Sequence, residues 1–179
     1  GGQEGSPIIA IKEALKYFDA CEKHGWTKPE IVFMFIEEDQ DRATNLEQKI
    51  AELNLPKKLI VHVVNSTFEE VSRDIAETLN QQNASLAPAF LFIDPFGYNL
   101  PFELIQKLMQ NEKCEVFINF MYEFINRFIA RDGQENVMTR LFGNNDWKSV
   151  DVKLMTPLER KEAIIGLYEK QLREKAAKY

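Results

Sequence analysis

The sequence lacks the features that mark secreted, membrane-spanning and disulfide-bonded proteins. It has two cysteines, Cys21 and Cys114, which lie far apart. They predict no disulfide framework and no zinc motif, and they fit a reducing compartment such as the cytoplasm. No apolar run approaches the roughly 20 residues that a membrane span needs. The stretch from Gly1 to Pro7 is polar, unlike a secretory signal. We therefore expect a cytoplasmic protein with no membrane partner.

An excess of positive charge is also missing. The formal net charge of −6 argues against broad, sequence-independent binding of nucleic acid. It leaves open a local basic patch, for which the basic end of the chain, residues 170–178, is a candidate. The 179 residues are 45% hydrophobic and 28% charged, a composition typical of one soluble globular domain with a sizeable core.

What the sequence does contain is a series of short apolar runs separated by helical patterns. Unbroken apolar runs of this length predict strands that are buried on both faces, as in a parallel sheet. Strands are predicted at residues 31–36, 59–64, 89–93 and 114–119, with helices at 6–24, 41–53, 68–82, 101–110 and 120–130. Their alternation predicts an α/β fold, a Rossmann-like three-layer sandwich with a mostly parallel sheet.

The predicted organisation has three parts. Residues 1–130 form the Rossmann-like core, residues 131–156 an insertion with short helices, and residues 157–179 a C-terminal helix of the same domain. Ser6 is expected to cap the first helix and Gly25 to end it. Thr156 and Glu159 predict a capping box for the last helix.

Polar side chains follow three of the predicted strands. Glu37 and Asp39 follow the first, Asn65 and Ser66 the second, and Asp94 the third. The carboxyl ends of parallel strands are where ligands bind in open α/β sheets. There, a carboxylate can accept the hydroxyls of a ribose, and small polar side chains can bond an adenine edge. The pattern therefore predicts a nucleoside site.

Other interpretations of the same residues stay open. The polar residues after the strands can cap the helices that begin nearby. Glu37, Asp39 and Asp94 can also be considered as Mg²⁺ ligands of a nuclease. His62 lies in an apolar run, which favours a core or sheet-face histidine over a catalyst. The predicted helical stripe of Phe120, Phe124 and Phe128 is more typical of a core face than of a base-stacking platform.

A glycine-rich turn that lets the backbone approach a nucleotide is missing before Glu37. Gly1, Gly2 and Gly5 follow no predicted strand. We expect the first strand of the sheet and its turn to lie upstream of residue 1.

Two longer strings resemble a known family. They are Phe92-Ile-Asp-Pro-Phe-Gly-Tyr-Asn-Leu-Pro-Phe102 and Glu115-Val-Phe-Ile-Asn-Phe-Met-Tyr-Glu-Phe-Ile-Asn-Arg-Phe128. Together with Gly5-Ser-Pro-Ile-Ile-Ala10 and Phe35-Ile-Glu37, they resemble the three-Cys-motif partner protein (TcmP) family. The resemblance implies a fold like that of class I methyltransferases and S-adenosylmethionine as the cofactor, held by Glu37, Asp39, Asn65 and Ser66. It also implies a protein partner encoded nearby.

The string Asp94-Pro95-Phe96-Gly97 is similar to the Asp-Pro-Pro-aromatic motif of enzymes that methylate amino groups of nucleic-acid bases. By that resemblance, Asp94 and the Pro95 carbonyl accept hydrogen bonds from the target amine, and Phe96 or Tyr98 stacks on the base. The string departs from the motif, because Phe96 replaces the second proline and Gly97 the aromatic residue.

Two functions are therefore expected as alternatives. The first is a methyltransferase that uses S-adenosylmethionine on a nucleic-acid base amine. The second is a non-catalytic partner protein that keeps a Rossmann-like sheet as a scaffold for the product of a neighbouring gene.

Overall fold

The computed structural model describes residues 4–81, 87–95, 100–151 and 153–176. Within these ranges the chain alternates helices and strands, as the apolar runs predict. The elements are α1 (Ser6–His24), β1 (Ile31–Ile36), α2 (Gln40–Ala51), β2 (Leu59–Val64), α3 (Phe68–Gln81), β3 (Ala89–Ile93), α4 (Phe102–Met109), β4 (Cys114–Ile118), α5 (Tyr122–Phe128), α6 (Glu135–Phe142), a 3₁₀ helix (Asp146–Ser149), α7 (Pro157–Gln171) and a π-helical turn (Leu172–Ala176).

The chain forms two compact units, Gly1–Val71 and Ser72–Tyr179, and each contains one parallel pair of strands. In the first unit β1 pairs with β2, with Ile31 beside Leu59 and Ile36 beside Val64. In the second unit β3 pairs with β4. The α/β class and the parallel pairing are thus confirmed in the described residues.

The core of the first unit lies between α1 and one face of the β1–β2 pair. Ile11, Ala14 and Phe18 recur at helical spacing on α1 and pack with Leu59 of β2. Full burial of side chains such as Ile11 and Phe18 contributes about 1.5–3 kcal/mol each. The helix ends at Gly25, whose φ of 68° is left-handed, as its glycine predicts.

The core of the second unit collects α4, α5, α6 and α7. Its fully buried side chains include Ile105, Ile125, Met138, Phe142 and Ile164. Tyr168 of α7 is also buried, among the rings of Phe102, Phe120 and Phe142 at centroid distances of 4.6–6.2 Å. This ring cluster fixes the start of α4, because Phe102 is its first residue.

The prediction that the strands are buried on both faces is wrong for these two strand pairs. Val32 is 54% exposed in β1, and Phe90 and Phe92 are 65% and 53% exposed in β3. Alternate residues of each strand face solvent, since in the described residues α1 covers one face of the first pair and α4 packs beside the second.

Several predicted boundaries shift by a residue or two. Gly5, not Ser6, is the N-cap of α1, because Ser6 already has helical backbone geometry. Phe120 lies before α5, so the phenylalanine stripe is shared between a loop and a helix. The capping box of Thr156 and Glu159 is confirmed.

The region 131–156 contains the expected short helices, α6 and the 3₁₀ helix. The division into a core, an insertion and a C-terminal helix stays a prediction. The boundary between the two compact units falls within α3 instead, between Val71 and Ser72.

Candidate functional site

The residues after β1 and β2, here called the first strand edge, are joined by hydrogen bonds. The Asn65 Nδ2 atom donates to the carbonyl oxygens of Glu37 and Glu38, at 2.9 and 3.2 Å. The Glu37 N–H donates to the Val64 carbonyl at 3.1 Å, which extends the strand ladder by one residue. Asn65 therefore fastens the end of one strand to the end of the other.

Asp39 caps a helix, as the alternative to a ligand-binding role predicts. Its Oδ1 atom accepts the Arg42 N–H at 3.0 Å, which makes Asp39 the N-cap of α2. The Asp39 N–H in turn donates to Oε1 of Glu37 at 3.1 Å. The half-buried Glu37 carboxylate thus keeps its second oxygen for another donor.

Ser66 also contributes to the start of a helix. Its hydroxyl donates to the Glu70 carboxylate at 2.7 Å. Glu70 accepts the Thr67 N–H, and the Glu70 N–H donates to Thr67 Oγ1, both at 3.2 Å. This reciprocal pair is a capping box for α3. Its signature, Thr67 three residues before Glu70, is readable in the sequence and identifies the box without the structure.

The residues after β3 and β4, here called the second strand edge, are arranged differently. Asp94 directly follows β3 and is exposed, and its Oδ1 atom accepts a hydrogen bond from Nδ2 of Asn119 at 2.6 Å. Asn119 follows β4, and its backbone N–H donates to the Ile93 carbonyl at 2.8 Å. The register that pairs Ile93 with Ile118 places Asp94 and Asn119 next to each other.

Asp94 is not a helix cap, which corrects that alternative for this residue. The N-cap of α4 is Pro101, and in the part of the chain that the structure describes it makes no side-chain cap bond. Pro95, the residue after Asp94, is half-buried. Phe96, the third predicted catalytic residue, lies outside the described residues, as do Gly97 and Tyr98. The described part of the predicted acceptor site is therefore Asp94 and Pro95, to which the structure adds Asn119, the hydrogen-bond partner of Asp94.

Asn119 is a functional candidate that the strand pattern alone conceals, because the predicted fourth strand, residues 114–119, includes it. The rule that selected Glu37, Asn65 and Asp94, a polar residue at the carboxyl end of a strand, selects Asn119 as well.

Aromatic packing holds the chain directly after Asn119. Phe120 stacks on the buried ring of Tyr168, with centroids 4.6 Å apart. Phe124 and Phe128 of α5 instead have the guanidinium groups of Arg127 and Arg131 over their rings, at 5.8 and 5.4 Å. The three phenylalanines therefore do not form one platform, and Phe120 serves as a core anchor beside the second strand edge.

The side chains of the first strand edge fit a nucleoside cofactor in part. The second carboxylate oxygen of Glu37 can accept a ribose hydroxyl, and Oδ1 of Asn65 can accept an amino group of adenine. Asp39 and Ser66 are engaged at helix starts, and their predicted contact with a cofactor stays a prediction. His62 is exposed on the face of the first strand pair rather than buried in the core.

Among the described residues, no three His, Cys, Asp or Glu side chains come together to hold a metal ion, so the magnesium-nuclease alternative gains no support. Within the same ranges, no helix combines the length and the apolar composition needed to cross a membrane. Comparison with models of protein families, with curated proteins and with solved structures gives no match for this chain.

Proposed function

We propose that this chain is a Rossmann-like protein of the three-Cys-motif partner family. We further propose that it methylates an amino group of a nucleic-acid base. The observation that carries the proposal is the state of Asp94. Its carboxylate lies exposed at the carboxyl end of β3, is held by Asn119 and caps no helix. A carboxylate with these properties is available to a substrate.

Asp94 and Pro95 would act on the amine as hydrogen-bond acceptors. The Asp94 oxygen that Asn119 does not occupy accepts one amine hydrogen, and the Pro95 carbonyl accepts the other. These two bonds fix the direction of the nitrogen lone pair, and such orientation contributes strongly to rate. When the nitrogen gains the methyl group, the amine hydrogen that is bonded to Asp94 Oδ2 would be released to solvent as a proton, and the methyl donor, its sulfur–methyl bond broken, would leave as a neutral thioether.

S-Adenosylmethionine, when bound, would supply the methyl group. Glu37 and Asn65 are the residues proposed to hold its nucleoside, through the carboxylate and Oδ1 acceptors described above. Both residues belong to the first strand edge and are fixed by backbone hydrogen bonds, so their acceptors are positioned before a ligand arrives.

Calorimetry of the full-length protein with S-adenosylmethionine tests the cofactor. We expect binding that Glu37→Gln weakens about tenfold, because one charge-assisted bond to the ribose is worth about 1.4 kcal/mol. Glu38→Gln is the matched control, since Glu38 is the direct neighbour of Glu37 and, among the described residues, contributes to the strand edge through its backbone carbonyl and not through its carboxylate. An absence of binding at about millimolar ligand, corresponding to less than about 4 kcal/mol, contradicts the proposal.

Transfer of a labelled methyl group to nucleic acid tests the acceptor site. Asp94→Asn should lower kcat by about 100-fold, because the amide replaces an acceptor oxygen with a donor. Its affinity for S-adenosylmethionine should stay unchanged. Asp132→Asn, at an exposed aspartate of the same unit, should leave both quantities unchanged. Full activity of Asp94→Asn would remove the support for this mechanism.

A non-catalytic scaffold is the second candidate. It is favoured by the use of Asp39, Asn65 and Ser66 in structural hydrogen bonds, which leaves few side-chain groups for a cofactor. In that case Asp94→Asn would leave biological function intact. Changing the exposed rings of Phe92 and Phe117, which stack at 5.4 Å, would then abolish association with a partner protein.

A further inference from the structure

We propose that Asn119 is the positioning residue of the acceptor site and acts by fixing the carboxylate of Asp94. This inference rests on the proposed function, because it concerns the same site. Its basis is the hydrogen bond from Asn119 Nδ2 to Asp94 Oδ1, at 2.6 Å, between two side chains that follow paired strands.

Asn65 and Asn119 both follow strands, but they donate to different kinds of acceptor. That difference distinguishes a positioning role for Asn119 from a structural one. Asn65 donates to backbone carbonyls and so satisfies groups that the fold itself leaves open. Asn119 donates to a side chain. It does not cap α5, whose N-cap is Met121 and which has no side-chain cap bond. The bond from Asn119 to Asp94 thus satisfies no backbone group.

The chemical consequence concerns the direction of the second oxygen of Asp94. The last side-chain torsion of an aspartate has a broad distribution, so a carboxylate on an exposed strand end has no single direction of its own. An amide donor on Oδ1 narrows that distribution and leaves Oδ2 as the acceptor for the amine. The bond is charge-assisted, so it is stronger than a bond between neutral groups. Asn119 itself is anchored by its backbone bond to Ile93 and by the packing of Phe120 on Tyr168.

Side-chain amide signals in NMR spectra test whether Asn119 holds Asp94. The Asn119 signals, assigned by their loss in Asn119→Ala, should shift in Asp94→Ala. They should not shift in Asp132→Ala, which removes an exposed carboxylate of the same unit. Asn119 signals that stay in place in Asp94→Ala would overturn the inference without any measurement of activity.

Steady-state methyl transfer tests whether this bond matters for function. Asn119→Ala should lower kcat about 10- to 100-fold, as loss of a supporting bond does at other sites, with the cofactor Kd unchanged. Asn119→Asp should lose as much, because it is isosteric but lacks the donor, and Asn119→Gln should regain part of the rate. The double variant Asp94→Ala/Asn119→Ala should be no slower than Asp94→Ala, since coupled residues are not additive.

The control and the contrary outcomes separate this inference from the proposed function. Asn136→Ala, at an exposed asparagine of α6, should leave kcat unchanged. A protein that transfers no methyl group overturns both proposals. An active protein whose Asn119→Ala variant keeps kcat within about twofold, less than about 0.5 kcal/mol of barrier, overturns only the role of Asn119.

Discussion

The two strand edges use the same kind of residue for different purposes. At the first strand edge, Asp39 caps α2, and Ser66 bonds to a glutamate of the capping box that starts α3. At the second strand edge, α4 begins at Phe102 after an N-cap, Pro101, that makes no side-chain cap bond, and Asp94 bonds to Asn119 instead. A polar residue after a strand is thus free for a ligand only where the next helix starts by other means.

The start of α4 is fixed by apolar packing rather than by a side-chain cap. Phe102, the first residue of α4, is buried against Tyr168 and against Gly143, the C-cap of α6. The comparison therefore predicts that the first strand edge is sensitive to changes in its polar side chains. The second strand edge should instead be sensitive to changes in the apolar packing that fixes its helix.

The largest expected effect is that of Gly143→Ala. A Cβ atom at residue 143 would lie 2.7 Å from Cδ1 of the buried Phe102 ring, and the backbone φ of 70° is unfavourable for any side chain. We expect a loss of about 2–4 kcal/mol in the free energy of unfolding, from overpacking and the left-handed backbone together. Urea denaturation measures it.

Two other glycines serve as controls. Gly133 has a φ of 81°, but a Cβ atom added there would meet nothing within 4 Å among the described residues, so Gly133→Ala should cost only about 1–2 kcal/mol. Gly166 lies within α7 in open space, and Gly166→Ala should stabilise the protein by up to about 1 kcal/mol. If Gly143→Ala costs no more than Gly133→Ala, packing on Phe102 does not fix the start of α4.

The second prediction compares the aspartates of the two edges directly. Asp39→Ala removes an N-cap and should cost about 1 kcal/mol of stability. Asp94→Ala removes only a bond between two side chains at the surface and should cost less than about 0.5 kcal/mol. Chemical denaturation of both variants gives the comparison. A larger cost for Asp94→Ala would mean that the second strand edge is as structural as the first.

Much of the fold was predictable from the sequence because it depends on local patterns. The apolar runs located the four strands that the structure describes, and Gly25 and Thr156 located a helix end and a helix start. The exposure of Val32 and Phe90 was not predictable, since an apolar run does not say which of its faces finds a partner.

The candidate site was predictable only as a set of positions. The rule for strand ends selects Asp39, Asp94 and Asn119 alike. It cannot tell a cap from an available carboxylate, because that depends on how the following helix begins. For α4 the answer depends on the contact of Phe102 with Gly143, two residues far apart in the chain.

A smaller effect is expected within the ring cluster that fixes α4. The hydroxyl of Tyr168 is buried and has no hydrogen-bond partner among the described residues. Tyr168→Phe should therefore stabilise the protein by about 0.5–1 kcal/mol, because it removes a polar group that folding takes out of water. A destabilised variant would show that the hydroxyl has a partner.

The same variant has a second readout at high pH. Burial raises the pKa of Tyr168 above its ordinary value of 10.0. The unfolded chain then loses this proton near pH 10 while the folded protein keeps it, so the wild type should lose stability as the pH rises past 10. Tyr168→Phe should lack this part of the alkaline loss, which urea titrations at about pH 9 and about pH 11 measure.

The smallest effect concerns a capping box of the second unit that does not follow a strand. The Thr156 N–H and hydroxyl both donate to the Glu159 carboxylate, at 2.8 and 2.7 Å, and these bonds lower its pKa. A lowered pKa in the folded state means that the contribution to stability is present above the ordinary value of 4.5 and is lost as the pH falls through the folded value.

Glu159→Gln keeps an acceptor for both donors but does not titrate. The urea midpoint of the wild type should therefore exceed that of Glu159→Gln at neutral pH, and the difference should shrink in acid. Glu162→Gln removes a charge from the same helix outside the capping box and controls for net charge. A difference that does not change with pH would mean that the carboxylate is not what the box requires. Capping of α7 would then depend on hydrogen-bond geometry alone.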